Sequence, residues 1–234
     1  MTDTRTEHDL IELAERGAAE LVDASADELL RWTDEHFGGD YIVASNMQDA
    51  VLVDLAAKVR PGVDVLFLDT GYHFVETVGT RDAAEADDDV NVVNVRPTHT
   101  VAEQDALHGK DLFARDASAC CGMRKVEPLG KALRNYSAWV TGIRRVEAPT
   151  RANAPLISWD KAFGLVKINP LAAWSDDDMQ NYIDTKGVLV NPLVFEGYPS
   201  IGCAPCTAKP VEGADPRSGR WAGQSKTECG LHAS

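Results

Sequence analysis

Tyr41-Ile42-Val43-Ala44-Ser45-Asn46-Met47-Gln48-Asp49, then Pro61-Gly62, then Val63-Asp64-Val65-Leu66-Phe67-Leu68-Asp69-Thr70-Gly71 decide how this chain folds. The apolar run at Tyr41–Ala44 reads as a buried strand that ends in a polar loop at Ser45. Asp49 opens an amphipathic helix that reaches about Val59, and Pro61-Gly62 breaks it. Val63 to Leu68 is a second strand, Asp69-Thr70-Gly71 its turn, and 73–86 a second helix. Asn91 to Val95 and, later, Ser137 to Thr141 supply further strands, the last ending at Gly142. Strands alternating with helices predict an α/β fold: a mostly parallel sheet with helices on both faces. Ligands of such sheets sit outside the carboxyl ends of the strands. That rule places Ser45, Asp69, Gly71 and Gly142 along one rim.

Outward from this centre the pattern is helical before and less regular after. Apolar spacing predicts helices over 7–22 and 26–37. Ser175 to Lys186 reads as a capped helix, with Ser175 at the N-cap and Asp178 three residues on. The Gly/Pro/Arg-rich stretch 202–224 is too polar for a core element and reads as an ordered loop or a mobile tail. No internal repeat interrupts the chain, and its length suits one domain with a sizeable core. No apolar run approaches the roughly 20 residues of a membrane helix. The polar, acidic start Met1–Glu7 lacks the apolar segment of a secretory signal. A cytoplasmic protein is expected, its thiols reduced unless they bind metal or turn over. The formal net charge of −14 argues against a nonspecific nucleic-acid binder. It leaves room for a small anion held by a few local arginines. The acidic runs 87–89 and 176–178 read as solvated surface, the second also suiting a helix start.

Five cysteines carry the chemistry. Cys120 and Cys121 are adjacent, Cys203-Ala204-Pro205-Cys206 is a C-x-x-C, and Cys229 stands alone near the end. That arithmetic suggests one four-thiolate metal or cluster site plus one reactive thiol. A redox C-x-x-C usually opens a helix after a strand, and the flanking residues here do not suit that context. Adjacent cysteines are unusual zinc ligands, whereas four thiolates without histidine suit a cubane iron–sulfur cluster. On spacing alone an iron–sulfur centre, zinc and unrelated buried cysteines all stay open. Cys229 is either a stray thiol on a frayed tail or a nucleophile whose thiolate is favoured by Lys226 and His232. Arg124-Lys125, Arg144-Arg145, Arg151, Arg217 and Arg220 read as an anion pocket, because guanidinium forks match phosphate and sulfate oxygens. His8, His36, His99 and His108 show no partner pattern and read as structural or surface residues.

Three motifs, taken together and in order, resemble one family: Cys-Cys-Gly-Met-Arg-Lys-Val-Glu-Pro-Leu at 120–129, Ser-Ile-Gly-Cys-Ala-Pro-Cys-Thr at 200–207 and Glu-Cys-Gly-Leu-His at 228–232. They resemble the assimilatory sulfonucleotide reductases, specifically the bacterial iron–sulfur adenylyl-sulfate (APS) reductases, and above all actinobacterial members. The resemblance runs from about residue 38 to the end. It implies an adenine-nucleotide alpha-hydrolase-like (PP-loop) Rossmann-type fold in a single domain 1–234. N-terminal helices would occupy 1–37, and a mobile C-terminal segment, 207–234, would carry the catalytic cysteine. It also implies a [4Fe-4S] cluster on Cys120, Cys121, Cys203 and Cys206, with Cys229 as nucleophile. Lys125 would lie between cluster and substrate sulfate, and Arg151, Arg217, Arg220 and His232 would bind the phosphosulfate. Ser45 and Asp49 match the family's degenerate pyrophosphatase loop, here without the glycines of ATP-splitting relatives. Leu68 and Gly142 would lie against the adenosine. The implied activity is reduction of APS to sulfite and AMP, through a Cys229 thiosulfonate, in sulfate assimilation and cysteine biosynthesis. The related PAPS reductases lack the four cluster cysteines, so APS is the expected substrate, with PAPS or dual use as the alternative. With four cysteines assigned to the cluster, none is left to resolve Cys229. Plant-type relatives carry a fused thioredoxin-like domain, and a separate thioredoxin is implied here. Neither nucleic acid nor a membrane is an expected partner.

Overall fold

The computed structural model describes residues 5–223, 226, 230 and 231. Two helices come first, α1 (Glu7–Glu20) and α2 (Ala26–Phe37), each opened by a reciprocal capping box, Thr6 with Asp9 and Ser25 with Glu28. Then strands and helices alternate: β1 (Tyr41–Ala44), α3 (Val51–Val59), β2 (Val63–Leu68), α4 (Val75–Asp87) and β3 (Val90–Val95). A helical stretch follows, α5 (Val101–His108), α6 (Leu112–Arg115), α7 (Ala117–Cys121) and α8 (Glu127–Leu133), with a π-helical turn at Gly122–Val126 between the last two. The chain continues through β4 (Ala138–Thr141), β5 (Ile157–Asp160), β6 (Leu165–Ile168), α9 (Asp176–Lys186) and α10 (Pro192–Phe195).

The six strands form one sheet in the order β3-β2-β1-β4-β6-β5. All neighbours run parallel except β5 and β6. The alternation seen in the sequence therefore does build a mostly parallel sheet. Side chains alternate across it, as a strand's two-residue period requires. Tyr41, Val43, Val65, Phe67, Val140, Val166 and Ile168 join the main core with α1, α2 and α3. Ile42, Leu66, Trp139 and Leu165 face the other way, against Leu129 and Leu133 of α8. The path moves outward from β1 to β3, then returns past β1 to β4. Loops after β1 and β4 consequently part in opposite directions, which opens a crevice at their carboxyl ends.

Some boundaries differ from the sequence reading. The helix expected from Asp49 begins at Val51, because Asp49 is used before the helix: its Oδ1 accepts the Val51 N–H at 3.1 Å, and its backbone bridges Val190. Other ends shift by a residue or two, as frayed termini do. The antiparallel β5–β6 pair and the helices between 101 and 133 had no clear periodic signal. The stretch 202–224 is a packed loop as far as Trp221: Cys203 is 8% exposed and Trp221 3%, despite the polar composition around them.

A candidate active site beside a four-thiol cavity

The loop after β1 is built from short-range hydrogen bonds. Met47 takes a φ of 57°, a left-handed conformation that non-glycine residues seldom adopt. Its N–H donates to Ser45 Oγ at 3.1 Å, and its carbonyl accepts from Asn191 Nδ2 at 3.1 Å. Asn191 is fully buried and also donates to Thr77 Oγ1, so α4 and the start of α10 pin this loop from behind. From the front, Gln48 Oε1 accepts the Ile201 N–H at 2.9 Å and Gln48 Nε2 donates to the Pro199 carbonyl at 3.3 Å. The segment leading to Cys203 is thereby fixed across the mouth of the crevice.

The crevice is a cavity of about 480 Å³. Ser45, Asp49, Leu68, Lys125, Gly142, Arg151, Arg217 and Arg220 all line it. Leu231 lines it as well and packs on the cluster formed by Ile42, Leu66, Leu129 and Trp139. Cys229 and His232 lie outside the described residues.

A second, smaller cavity adjoins the first, walled by Cys120, Cys121, Cys203 and Cys206 with Tyr72, Phe113, Arg124, Lys125, Pro205 and Trp221. Lys125 and Trp221 belong to both cavities. The adjacent cysteines sit at the end of α7, which Asp116 caps by accepting the Ala119 N–H. The π turn that follows directs Arg124 inward, where it is 4% exposed and donates to the Thr70 carbonyl, the His99 carbonyl and Gln104 Oε1. Such single-turn π insertions are frequent at functional sites. The second cysteine pair is held from another direction. Ala204 N–H donates to the Tyr72 carbonyl at 2.7 Å, Thr70 Oγ1 lies 3.3 Å from Cys203 Sγ, and Trp221 N–H donates to the Cys206 carbonyl at 3.0 Å. Among the described residues, no three His, Cys, Asp or Glu side chains converge tightly enough for a single metal ion. The four thiols instead surround a space.

Charge in the two cavities is grouped. Burial, then the neighbouring Cys121, Cys203 and Cys206, pushes the Cys120 thiol up to about 11. Burial with Cys203 and Cys121 does the same to Cys206, while Lys125 and Arg220 pull the other way. Farther along the crevice Asp49 is raised by burial, opposed by the Val51 N–H and by Arg144, with Glu147 adding to the rise.

His73 is a pocket residue that motif reading did not find. Its Nε2 lies 2.7 Å from the Leu68 carbonyl, so Nε2 carries the proton, and its buried Nδ1 has no partner among the described residues. Burial, with Lys125 nearby, lowers its pKa. Glu147 was also missed. It joins two arginines, and an acidic residue in a predicted anion pocket gives no motif to search for. Arg145, half of the expected Arg144-Arg145 pair, turns away and donates to the Ala154 carbonyl.

Residues 41–209 match the phosphoadenosine phosphosulfate reductase domain. The chain is 80% identical to adenosine 5'-phosphosulfate reductase of Mycolicibacterium smegmatis, covering 100% of both sequences. It is 75% identical to the enzyme of that name from Mycobacteroides abscessus, covering 100% of this chain and 98% of the relative. It is 70% identical to that of Mycobacterium tuberculosis, covering 98% of this chain and 97% of the relative. Among solved structures it is similar to a phosphoadenylyl-sulfate reductase from Candida auris in a phosphate complex. That likeness has a TM-score of 0.71 and 26% identity over 89% of this chain and 100% of the other. A Candida glabrata FMN adenylyltransferase, at TM-score 0.56 and 14% identity over 87% of this chain and 73% of the other, shares the fold alone. With a match this long and relatives this similar along their whole length, the chain belongs to the phosphoadenosine phosphosulfate reductase family.

Proposed function

We propose that this chain reduces adenosine 5'-phosphosulfate to sulfite and AMP, with a thioredoxin as electron donor, in the cytoplasm. One observation carries the reading: the large crevice and the four-thiol cavity share a wall, and Lys125 stands in it. A cationic amine there would face a bound phosphosulfate on one side and the four thiols on the other.

The donor set fits a [4Fe-4S] cluster on Cys120, Cys121, Cys203 and Cys206. Four thiols ring a space into which no carboxylate or imidazole of the described residues projects. Trp221 Nε1 is buried beside Cys121 and Cys206 with no hydrogen-bond partner among the described residues, a donor waiting for an acceptor. Arg124 and Lys125 oppose the negative charge of thiolates. Deprotonating thiols pushed up to about 11 needs a metal's charge, so binding would release protons. When bound, the cluster would supply structure and a local field; two-electron thiol chemistry is complete without it.

The protein's own residues perform the reaction. The Cys229 thiolate attacks the sulfate sulfur, the bond from sulfur to the bridging oxygen breaks, and AMP leaves. Lys125, Arg151, Arg217 and Arg220 stabilise the charge that grows on the departing phosphate. The product is a thiosulfonate on Cys229, which divides one difficult step into two. A thioredoxin thiolate then attacks Cys229 Sγ and expels sulfite. The second thioredoxin thiol closes its disulfide and returns Cys229 reduced. Leu231, two residues beyond the nucleophile, lines the crevice and supports a tail that reaches the substrate. Movement of the segment that carries Cys229 out of the crevice would expose the intermediate to thioredoxin.

Labelled APS tests this reading. The wild-type chain should form a covalent adduct that reduced thioredoxin releases as sulfite. Cys229→Ser should form none, with iron content unchanged. An adduct that survives the substitution removes Cys229 from its role. A change of cluster oxidation state during turnover would overturn the non-redox part.

A further inference from the structure

Beyond β4 the crevice wall holds more carboxylates than guanidiniums. Glu147 Oε2 accepts from Arg151 Nη1 at 2.5 Å and from the Arg144 backbone N–H at 3.2 Å, and its Oε1 lies 3.6 Å from Arg144 Nε. Arg144 Nη1 also meets Asp176 Oδ1 at 2.8 Å. Asp49 lies in the same group, within the field of both Arg144 and Glu147. Among the described residues, three carboxylates thus face two guanidiniums. Lys125, Arg217 and Arg220 line the same crevice, Lys125 and Arg220 also lying within the field of Cys206. Arg144 and Arg151 side chains are 13% and 11% exposed, and Glu147 is 25% exposed, so the network is only partly screened by water.

We propose that Glu147 is a positioning and specificity-determining residue: it aims Arg151 at the nucleotide and, with Asp176 and Asp49, makes this wall reject a nucleotide bearing a further phosphate. The inference rests on the nucleotide reading above. Its physics is repulsive selection. A ligand with one phosphosulfate satisfies Arg151, whereas a second phosphate meets carboxylates whose partner cations are already engaged. A purely structural network would hold the wall together but would not change ligand ranking when one charge is removed.

The probes are AMP and adenosine 3',5'-bisphosphate, titrated calorimetrically into the cluster-loaded protein. Wild type should favour AMP. Glu147→Gln keeps an acceptor for Arg151 and the Arg144 N–H but removes the charge. It should shift the ratio of the two dissociation constants toward the bisphosphate by about tenfold. Glu147→Ala removes the acceptor as well and should also weaken AMP. Asp176→Asn, at a side chain 84% exposed, should move the ratio in the same direction by less, and keeps the test available if position 147 proves intolerant. A ratio unchanged in both charge variants, or a wild type that binds the bisphosphate as well as AMP, overturns the proposal. Sulfite release from APS is scored separately: sulfite with an unmoved ratio sinks this inference alone, and a moved ratio without sulfite sinks the reductase reading alone.

Discussion

Asp49 shows what one residue can reveal and conceal. Its type and its place after a strand marked it as part of a loop, but its burial came from elements far away in the chain. The backbone bridge to Val190 and the neighbours Arg144 and Glu147 make its surroundings. Burial is the largest influence and lifts its pKa above the ordinary 3.8. A carboxyl raised in the folded state contributes stability below the unfolded value and loses it as pH rises through the folded one. Asp49→Asn keeps the acceptor for the Val51 N–H and cannot ionise. Relative to that variant, the wild type should therefore lose stability as pH climbs from below 3.8 toward neutrality, measured by urea midpoints at several pH values. A difference that does not vary with pH would show that Asp49 is no more costly to ionise here than in the unfolded chain.

At the scale of elements, the loop 202–221 decides whether the cysteine pairs meet. Two of its glycines, Gly202 and Gly219, are there for space. A Cβ on Gly219 would lie 1.9 Å from the Ala208 carbonyl oxygen, where the Thr207–Arg220 bridge brings two backbones together. The three atoms nearest a Cβ on Gly202 would all belong to the Arg220 guanidinium, the closest at 2.1 Å. The two substitutions should separate cleanly. Gly219→Ala forces backbone apart, so we expect loss of bound iron and faster proteolysis within 207–221. Gly202→Ala displaces the end of a flexible side chain, so we expect a raised KM for APS with iron content and melting temperature retained. Iron loss in both, or in neither, would contradict this division. Sequence motifs identified both cysteine pairs, because thiol spacing is written in the chain. For the polar, glycine-rich stretch they left an ordered loop and a mobile tail both open, because its burial comes from Trp221 closing over Cys121 and Cys206. The π turn was equally illegible: it changes which way Arg124 and Lys125 point without changing helical composition.

For the whole molecule, the N-terminal helices complete the core. Leu10, Leu13 and Ala14 of α1 and Leu29, Leu30 and Phe37 of α2 belong to the same buried cluster as the strands. Gly17 lets α1 approach Trp32 so closely that a Cβ there would sit 2.6 Å from the indole. Removing residues 1–24 would uncover that side of the β5–β6 pair. Each fully buried leucine contributes about 1.5–3 kcal/mol, and a domain holds only about 5–15 kcal/mol in total. The truncated chain should therefore unfold at markedly lower urea, or without a cooperative transition, by circular dichroism. An unchanged midpoint would make α1 an ornament of the fold.

The sequence by itself determined the alternation that builds a parallel sheet, the rim where Ser45 and Gly142 lie, and the division of the cysteines into two pairs and one. These are local properties: strand and helix periods, turn residues and spacing are set by neighbours in the chain. Tertiary structure alone decided that His73 and Glu147 belong to the site, and it brings the two cysteine pairs to one cavity with Lys125 lining both that cavity and the crevice, an arrangement that the motifs' resemblance implied but thiol spacing left open. Those contacts join residues far apart in the chain, and they exist because the return from β3 to β4 opens a crevice and the 199–221 loop folds across it.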